Sequence, residues 1–463
     1  MNKTEIIEFA SKTVLVVLFM TVAILIWACV GKKKETIRSS IVVHNDWSKS
    51  SVIYEVNIRQ FTPEGTFKAL EQHLPRLKAM GIDILWLMPI NPIGVTNRKG
   101  TLGSYYSIKD YLAVNPEYGT QEDFKNLVKK IHEAGMKVII DWVANHTSWD
   151  NNLIKDHPDW YTHDSAGNII APVKDWTDVA DLNYDQPGLR EYMKNALLYW
   201  VKEADIDGYR CDVAGMLPIE FWNWAVPEVE KFKPVFMLAE DESPQMHDTA
   251  FDMTYSWEVY HLMNQIAKGG KSAVLFDSLL ASEASVFPPD AYRMRFTSNH
   301  DENSWNGTEF ERMGDAAQTF TVFSFIIPGM PLIYSGQESA FNKRLKFFDK
   351  DTINWDNYKL TPFYTTLISM KKQNTALWNG TAGGLLEKVN TNNDREIYAL
   401  IREKEGNRVF AVFNLSNKSQ DVSIKNHKII GTYNEVFTGK SENFEDTALF
   451  TMKPWEYRVY IKK

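Results

Sequence analysis

From Ser51 onward, short runs of β-branched and apolar residues alternate with amphipathic stretches at helical spacing. Val52–Asn57 reads as a strand. Phe67–Met80 places Leu70, Leu74 and Leu77 on one helical face and ends at Gly81. Ile82–Met88 is a second strand, stopped by Pro89. Phe124–Ala134 is a helix closed by Gly135, and Val138–Trp142 is a third strand. Ile206–Asp212, Val235–Glu240, Phe251–Tyr255, Arg295–Asn299 and Pro331–Tyr334 supply five more strands. Strand–helix alternation argues for a parallel sheet, and eight such strands fit a (β/α)8 barrel of the TIM type.

Two stretches break the alternation. Residues 147–180, rich in Asp, Asn, Pro and Trp, lie between the third and fourth strands and predict an excursion over the barrel mouth. After about residue 380 the helical period stops. Glu396–Arg402, Arg408–Asn414, Gln420–Ile424, Ala448–Met452 and Glu456–Ile461 alternate as strands, with Glu405-Gly406-Asn407 as a hairpin turn. The expected organisation is a barrel over 41–380, containing the 147–180 insertion, and an antiparallel β-sandwich domain over 381–463. Residues 1–40 are set aside as a leader, anchor and linker.

That leader contains an almost unbroken apolar run, Val14 to Val30, interrupted only by Thr21. It is longer than a typical signal-peptide core and shorter than the ~20 residues that span a bilayer. Its end, Ile26-Trp27-Ala28-Cys29, resembles the lipobox of bacterial lipoproteins, which predicts an exported protein tethered to the membrane through Cys29. Lys32, Lys33 and Lys34 follow the run and support the alternative of an uncleaved signal anchor.

Composition is that of an ordinary globular protein, with 44% hydrophobic and 24% charged residues, so disorder is not the default. A net charge of −8 without a dense basic block disfavours nucleic acid as a partner. Two cysteines, Cys29 and Cys211, give no disulfide framework.

Barrel enzymes carry their chemistry at the C-terminal ends of the strands. Four carboxylates fall there or just beyond: Asp141, Asp212, Glu240 and Asp301. A like-charged cluster is costly unless function requires it. Their contexts are Asp141-Trp142-Val143-Ala144-Asn145-His146, Gly208-Tyr209-Arg210-Cys211-Asp212, Phe236-Met237-Leu238-Ala239-Glu240 and Phe296-Thr297-Ser298-Asn299-His300-Asp301. Together they resemble the four ordered signature regions of glycoside hydrolase family 13, the α-amylase family. Asp181-Leu182-Asn183, Tyr105-Tyr106 and the run Pro331–Glu338 add to the likeness, which covers residues 50–463.

The resemblance implies a nucleophile at Asp212, an acid/base at Glu240 and a third acid at Asp301 that grips sugar hydroxyls. Arg210, on the same face of its strand, would hold Asp212 ionised by lowering its pKa. Neighbouring carboxylates would raise Glu240 so that it keeps a proton. His146 and His300 would hydrogen-bond the sugar, and Tyr106 would stack on it. The implied reaction is retaining hydrolysis of α-glucosidic bonds, α-1,4 with α-1,6 open, in maltooligosaccharides or starch-like glucans through a covalent glycosyl-enzyme. Two alternatives stand beside it: transglycosylation through the same intermediate, and an inactive amylase-fold subunit tethered to a membrane partner. The retained carboxylates, Arg210 and histidines argue against the second.

One segment departs from the family. Where starch-cleaving members continue with a Lys-His pair after the nucleophile, this chain has Val213-Ala214-Gly215-Met216. The departure weakens the case for a long-chain endo-acting amylase and leaves short maltooligosaccharides, pullulan-like glucans or related α-glucosides open. It also bears on calcium, for which the family's Asn corresponds to Asn145, with Asp175, Asp178 and Asp181 as further oxygen donors. Calcium stays open at this point, and no organic cofactor is expected.

Overall fold

The computed structural model describes residues 42–355 and 357–463. The apolar run 14–30 and Cys29, with the lipoprotein and anchor readings, therefore lie outside the described residues. Eight parallel strands close into a barrel: Ile53–Val56, Ile84–Leu87, Lys137–Trp142, Gly208–Cys211, Phe236–Ala239, Met253–Tyr255, Tyr292–Arg295 and Met330–Tyr334. The last pairs with the first through Ile53 and Leu332, so no edge remains.

The period of two within each strand explains both the core and the site. Ile53, Ile84, Ile139, Phe236, Leu238, Met253, Met294 and Leu332 point inward and form a separate apolar cluster inside the barrel. Tyr54, Leu85, Val138, Tyr209, Met237 and Ile333 point outward into the larger core beneath the helices. The inward series then turn polar toward their C-terminal ends: Ile53 to Glu55, Ile139 to Asp141, Gly208 to Arg210 and Asp212, Leu238 to Glu240. An apolar floor thus carries a charged layer at the mouth.

Two sequence expectations need correction. The seventh strand is Tyr292–Arg295, not Arg295–Asn299. Its outward residues Arg293 and Arg295 are buried beside Glu283, at 3.2 and 2.6 Å, so charges that count against a strand are paired within the helical layer. The helix expected over Phe67–Met80 is two, Phe67–Glu71 and Leu74–Met80. Pro75 cannot donate a backbone hydrogen bond into the preceding turn, and the break falls just before it. Gly81 closes the second helix at φ 101°, a left-handed conformation suited to glycine.

Within the excursion, His146–Ser148 and Val179–Asp181 pair antiparallel, so its beginning and end are held side by side at the barrel mouth. The C-terminal region is a six-stranded antiparallel sheet with a two-stranded pair, Gln420–Lys425 and Thr447–Met452. The hairpin turn lies at Glu405 and Gly406, both at positive φ (51° and 82°), as a two-residue I′ loop requires. Leu385–Val389, Gly431–Glu435 and Ser441–Phe444 are further strands, the last two with mostly polar sequences. One sheet face, with Tyr398 and Phe413, packs on Phe323 of helix Ala317–Ile326, which is buried at every position but Gln318.

Candidate active site

Arg210 is the hub of the charged layer. It has no exposed surface, and its Nη1 donates to Asp141 Oδ1 at 3.0 Å and to Asp212 Oδ1 at 2.8 Å. Its Nη2 lies 2.8 Å from Glu240 Oε2, an ion pair outside hydrogen-bond geometry. Such a buried cation is tolerable only because three carboxylates surround it. Asp141 also accepts from Trp86 Nε1 and the Tyr106 hydroxyl, each at 3.2 Å, so its oxygens are occupied by the protein.

A second ionic pair sits across the mouth. His300 Nδ1 lies 2.5 Å from Glu55 Oε1, while its Nε2 faces the Tyr106 hydroxyl at 2.7 Å and Asp301 Oδ2 at 3.3 Å. Burial alone would strip the imidazole of its proton, but Asp301 and Glu55 outweigh it and raise His300 well above its usual pKa. Burial would likewise raise Asp301, but the imidazolium holds it below the ordinary carboxylate range. Trp305 Nε1 donates to the other Asp301 oxygen, Oδ1, at 3.2 Å. Tyr106 stacks on His300 at 5.5 Å between ring centres.

The remaining carboxylates behave differently. Burial raises Asp212 to about 6 against the pull of Arg210, so the expectation of a lowered pKa is corrected. Desolvation outweighs the guanidinium because the same cation is shared with Asp141 and Glu240. Glu240 is likewise raised, to about 7, by burial first and then by Asp212 and Asp301 against Arg210. The two groups thus separate into a readier carboxylate and a readier proton carrier near neutrality. His146, buried beside Asn145 Nδ2 (3.3 Å) and Trp176, is lowered to about 4 by burial and is neutral.

These side chains line a cleft of about 430 Å³. Asp212, Glu240, Asp301, Tyr106 and His146 reach it directly, whereas Arg210 and His300 act from behind them. Lys99, Val213, Phe347 and Phe348 also line it, and so do Trp176 and Trp305. The other tryptophans near the mouth are structural. Trp142 packs on Tyr111 and Tyr209, Trp149 donates to the Thr177 carbonyl, and Trp160 stacks on His157. Glu55, Lys99, Phe347 and Phe348 were not anticipated, since no motif marks them. Only the inward parity of Glu55 on the first strand could have found it. A larger groove of about 570 Å³ beside Lys268 and Trp455 contains none of the carboxylates.

Two of the residues expected to hold calcium are engaged by a lysine. Asp178 is ion-paired with Lys99 at 2.9 Å, and the same ammonium donates to the Asp175 carbonyl at 2.8 Å. The Asp175 side chain is exposed, and Asn145 turns its amide toward His146. Among the described residues, no three His, Cys, Asp or Glu side chains gather into a metal site.

The family model described as the alpha amylase catalytic domain matches residues 44–177 and 160–414. The alpha-amylase from Lactobacillus plantarum is 34% identical with a TM-score of 0.80, over 90% of this chain and 100% of that one. The noncanonic maltogenic alpha-amylase AmyB from Thermotoga neapolitana is 30% identical with a TM-score of 0.82, over 90% and 99%. Alpha-amylase MalA from Haloarcula japonica is 28% identical over 348 residues, 72% of this chain and 50% of its own length. The chain thus spans half of that relative.

Proposed function

From the premise that this chain belongs to the α-amylase family and is a glycoside hydrolase acting on α-glucans, we propose that it hydrolyses α-1,4-glucosidic bonds of short maltooligosaccharides with retention. The observation carrying this reading is the contact of one buried guanidinium with both Asp212 and Glu240 at the floor of one cleft. Asp212, the readier carboxylate, attacks the anomeric carbon. Glu240, the readier acid, gives its proton to the departing oxygen, then takes one from the water that cleaves the glycosyl-enzyme. Asp301 and neutral His146 face the same sugar, and Tyr106 offers it a flat ring.

The preference for short chains rests on the leaving-group side. Val213 lines the cleft there and Met216 is 47% exposed, so the segment 213–216 offers no cation to a longer glucan. Transglycosylation uses the same intermediate, with a sugar replacing water, and an apolar leaving-group side favours it by discouraging water. The substrate panel that separates these readings is maltotriose, starch, pullulan, isomaltose, sucrose and trehalose, with products followed by NMR from the first minutes. Retained α-anomers of short products are expected. An initial β-anomer overturns the retaining mechanism, and products longer than the substrate identify transfer. The lipobox-like Ile26-Trp27-Ala28-Cys29 supports export and a lipid tether. Cys29→Ser should then release the protein from membranes, and retention there would favour the signal anchor.

A further inference from the structure

Val213 follows the candidate nucleophile directly and adopts φ 37° and ψ 47°, the left-handed region. A β-branched residue there is a genuine outlier, because its Cβ crowds the backbone, and the surrounding structure must enforce it. The enforcement is visible on both sides. Asp212 N–H donates to the Trp142 carbonyl at 2.9 Å, and Met216 N–H to the Val213 carbonyl at 2.8 Å. Trp222 Nε1 donates to the Ala214 carbonyl at 3.1 Å. Gly215 passes under Asp241 so closely that an added Cβ would stand 1.9 Å from Oδ2. The chain is thereby bent back at once after Asp212.

The bend turns one group toward the reaction. Val213 N–H donates to Glu240 Oε2 at 2.9 Å, and the Arg210 Nη2 faces the same oxygen at 2.8 Å. Glu240 Oε1 makes no hydrogen bond among the described residues, although Glu240 lines the cleft. An oxygen flanked by a donor and a cation is a poor place for a proton.

We propose that Val213 is a positioning residue whose strained backbone N–H, with Arg210, reserves Glu240 Oε2 as a permanent acceptor and so assigns the transferable proton to Oε1. In the first half-reaction the proton leaves Oε1 for the glycosidic oxygen as the C–O bond breaks. The bond's electron pair goes to that oxygen while Asp212 bonds to the anomeric carbon. In the second, Oε1 takes a proton from water as water replaces Asp212. The inference rests on the glycosidase reading above.

The test exploits leaving groups. Replacing Val213 by its α-hydroxy acid analogue turns the preceding amide into an ester and deletes the N–H while keeping the side chain. Maltotriose needs the acid, whereas α-glucosyl fluoride departs without it. The ester protein is expected to lose about tenfold or more in kcat/KM on maltotriose and to keep its rate on the fluoride. Val213→Gly keeps the N–H and relieves the strain. It should keep the wild-type ratio between the two substrates and melt about 1 °C or more higher. Equal losses on both substrates, or an unchanged ester protein, overturn the inference. So does a Val213→Gly protein that melts lower. A wild-type protein inactive on both substrates would instead overturn the glycosidase reading itself.

Discussion

Arg210 and Asp212 stand two positions apart on one strand, and their side chains meet at 2.8 Å because a period of two turns both inward. Asp212 would otherwise share a buried pocket with Asp141 and Glu240 without a counter-charge. Arg210→Met should therefore raise Asp212 further, moving the acidic limb of kcat/KM upward from near 6. It should also cost about 3–5 kcal/mol of stability, since it leaves buried carboxylates unpaired. Arg210→Lys keeps the charge but cannot serve three carboxylates from one point, so its profile should fall between the two. Rate profiles from pH 4 to 9 with denaturant midpoints check both effects.

Glu240, raised like Asp212, has a thermodynamic consequence that can be read directly. Its folded pKa of about 7 lies above its unfolded value, so the folded protein binds more protons between about pH 4 and 7. The stability this supplies is fully present below the unfolded pKa and is lost as pH rises through 7. Glu240→Gln, which mimics the protonated acid, should then abolish catalysis yet stabilise the fold at pH 8, by on the order of 2–3 kcal/mol. The gain should vanish at pH 4. Thermal melts of both proteins at the two pH values decide it, and a variant less stable at pH 8 refutes the account.

Trp305 is 52% exposed at the cleft, and its indole N–H holds Asp301. Ring and hydrogen bond can be separated by substitution. Trp305→Phe removes the donor but keeps a flat ring, and should lower kcat by a few-fold with little change in KM. Trp305→Ala also removes the platform, with its contact to Phe347 at 5.0 Å, and should raise KM for maltotriose about tenfold. Equal KM values in both variants would mean that the sugar does not touch this ring.

How much of this was legible beforehand follows from where information is local. The barrel was, because Ile53, Ile84, Ile139 and Phe236 begin inward series that any parallel sheet must bury. The carboxylates and Arg210 were, because strand parity and the family motifs agree on them. The seventh strand was misplaced since the pairing of Arg293 and Arg295 with Glu283 is tertiary. Glu55 went unnoticed because its partner, His300, is far away in sequence. The sign of the Asp212 shift failed because burial depends on the whole cluster. Lys99 belongs to the same class: nothing local shows that it ends beside Asp178.

That contact yields the last prediction. Lys99 comes from the segment after the second strand, and it binds Asp178 and the Asp175 carbonyl of the excursion. The Lys99 side chain is 31% exposed and that of Asp178 7%, so the pair is only partly screened by solvent. A fixed cation thus joins excursion to barrel at one wall of the cleft, as Lys109 does through Asp150 at 3.1 Å. On the reading that the lysine suffices at that junction, a chelator should leave the melting temperature and activity unchanged. Lys99→Met should cost about 1–2 kcal/mol and raise KM, since Trp176 and Asp178 on the same wall lose their tether. Added calcium should not restore it, because Asp178 alone offers too few oxygens. Melting curves with chelator, with calcium and without either measure all three outcomes. A fall on chelation of the wild-type protein would place a metal ion where the lysine is argued to suffice.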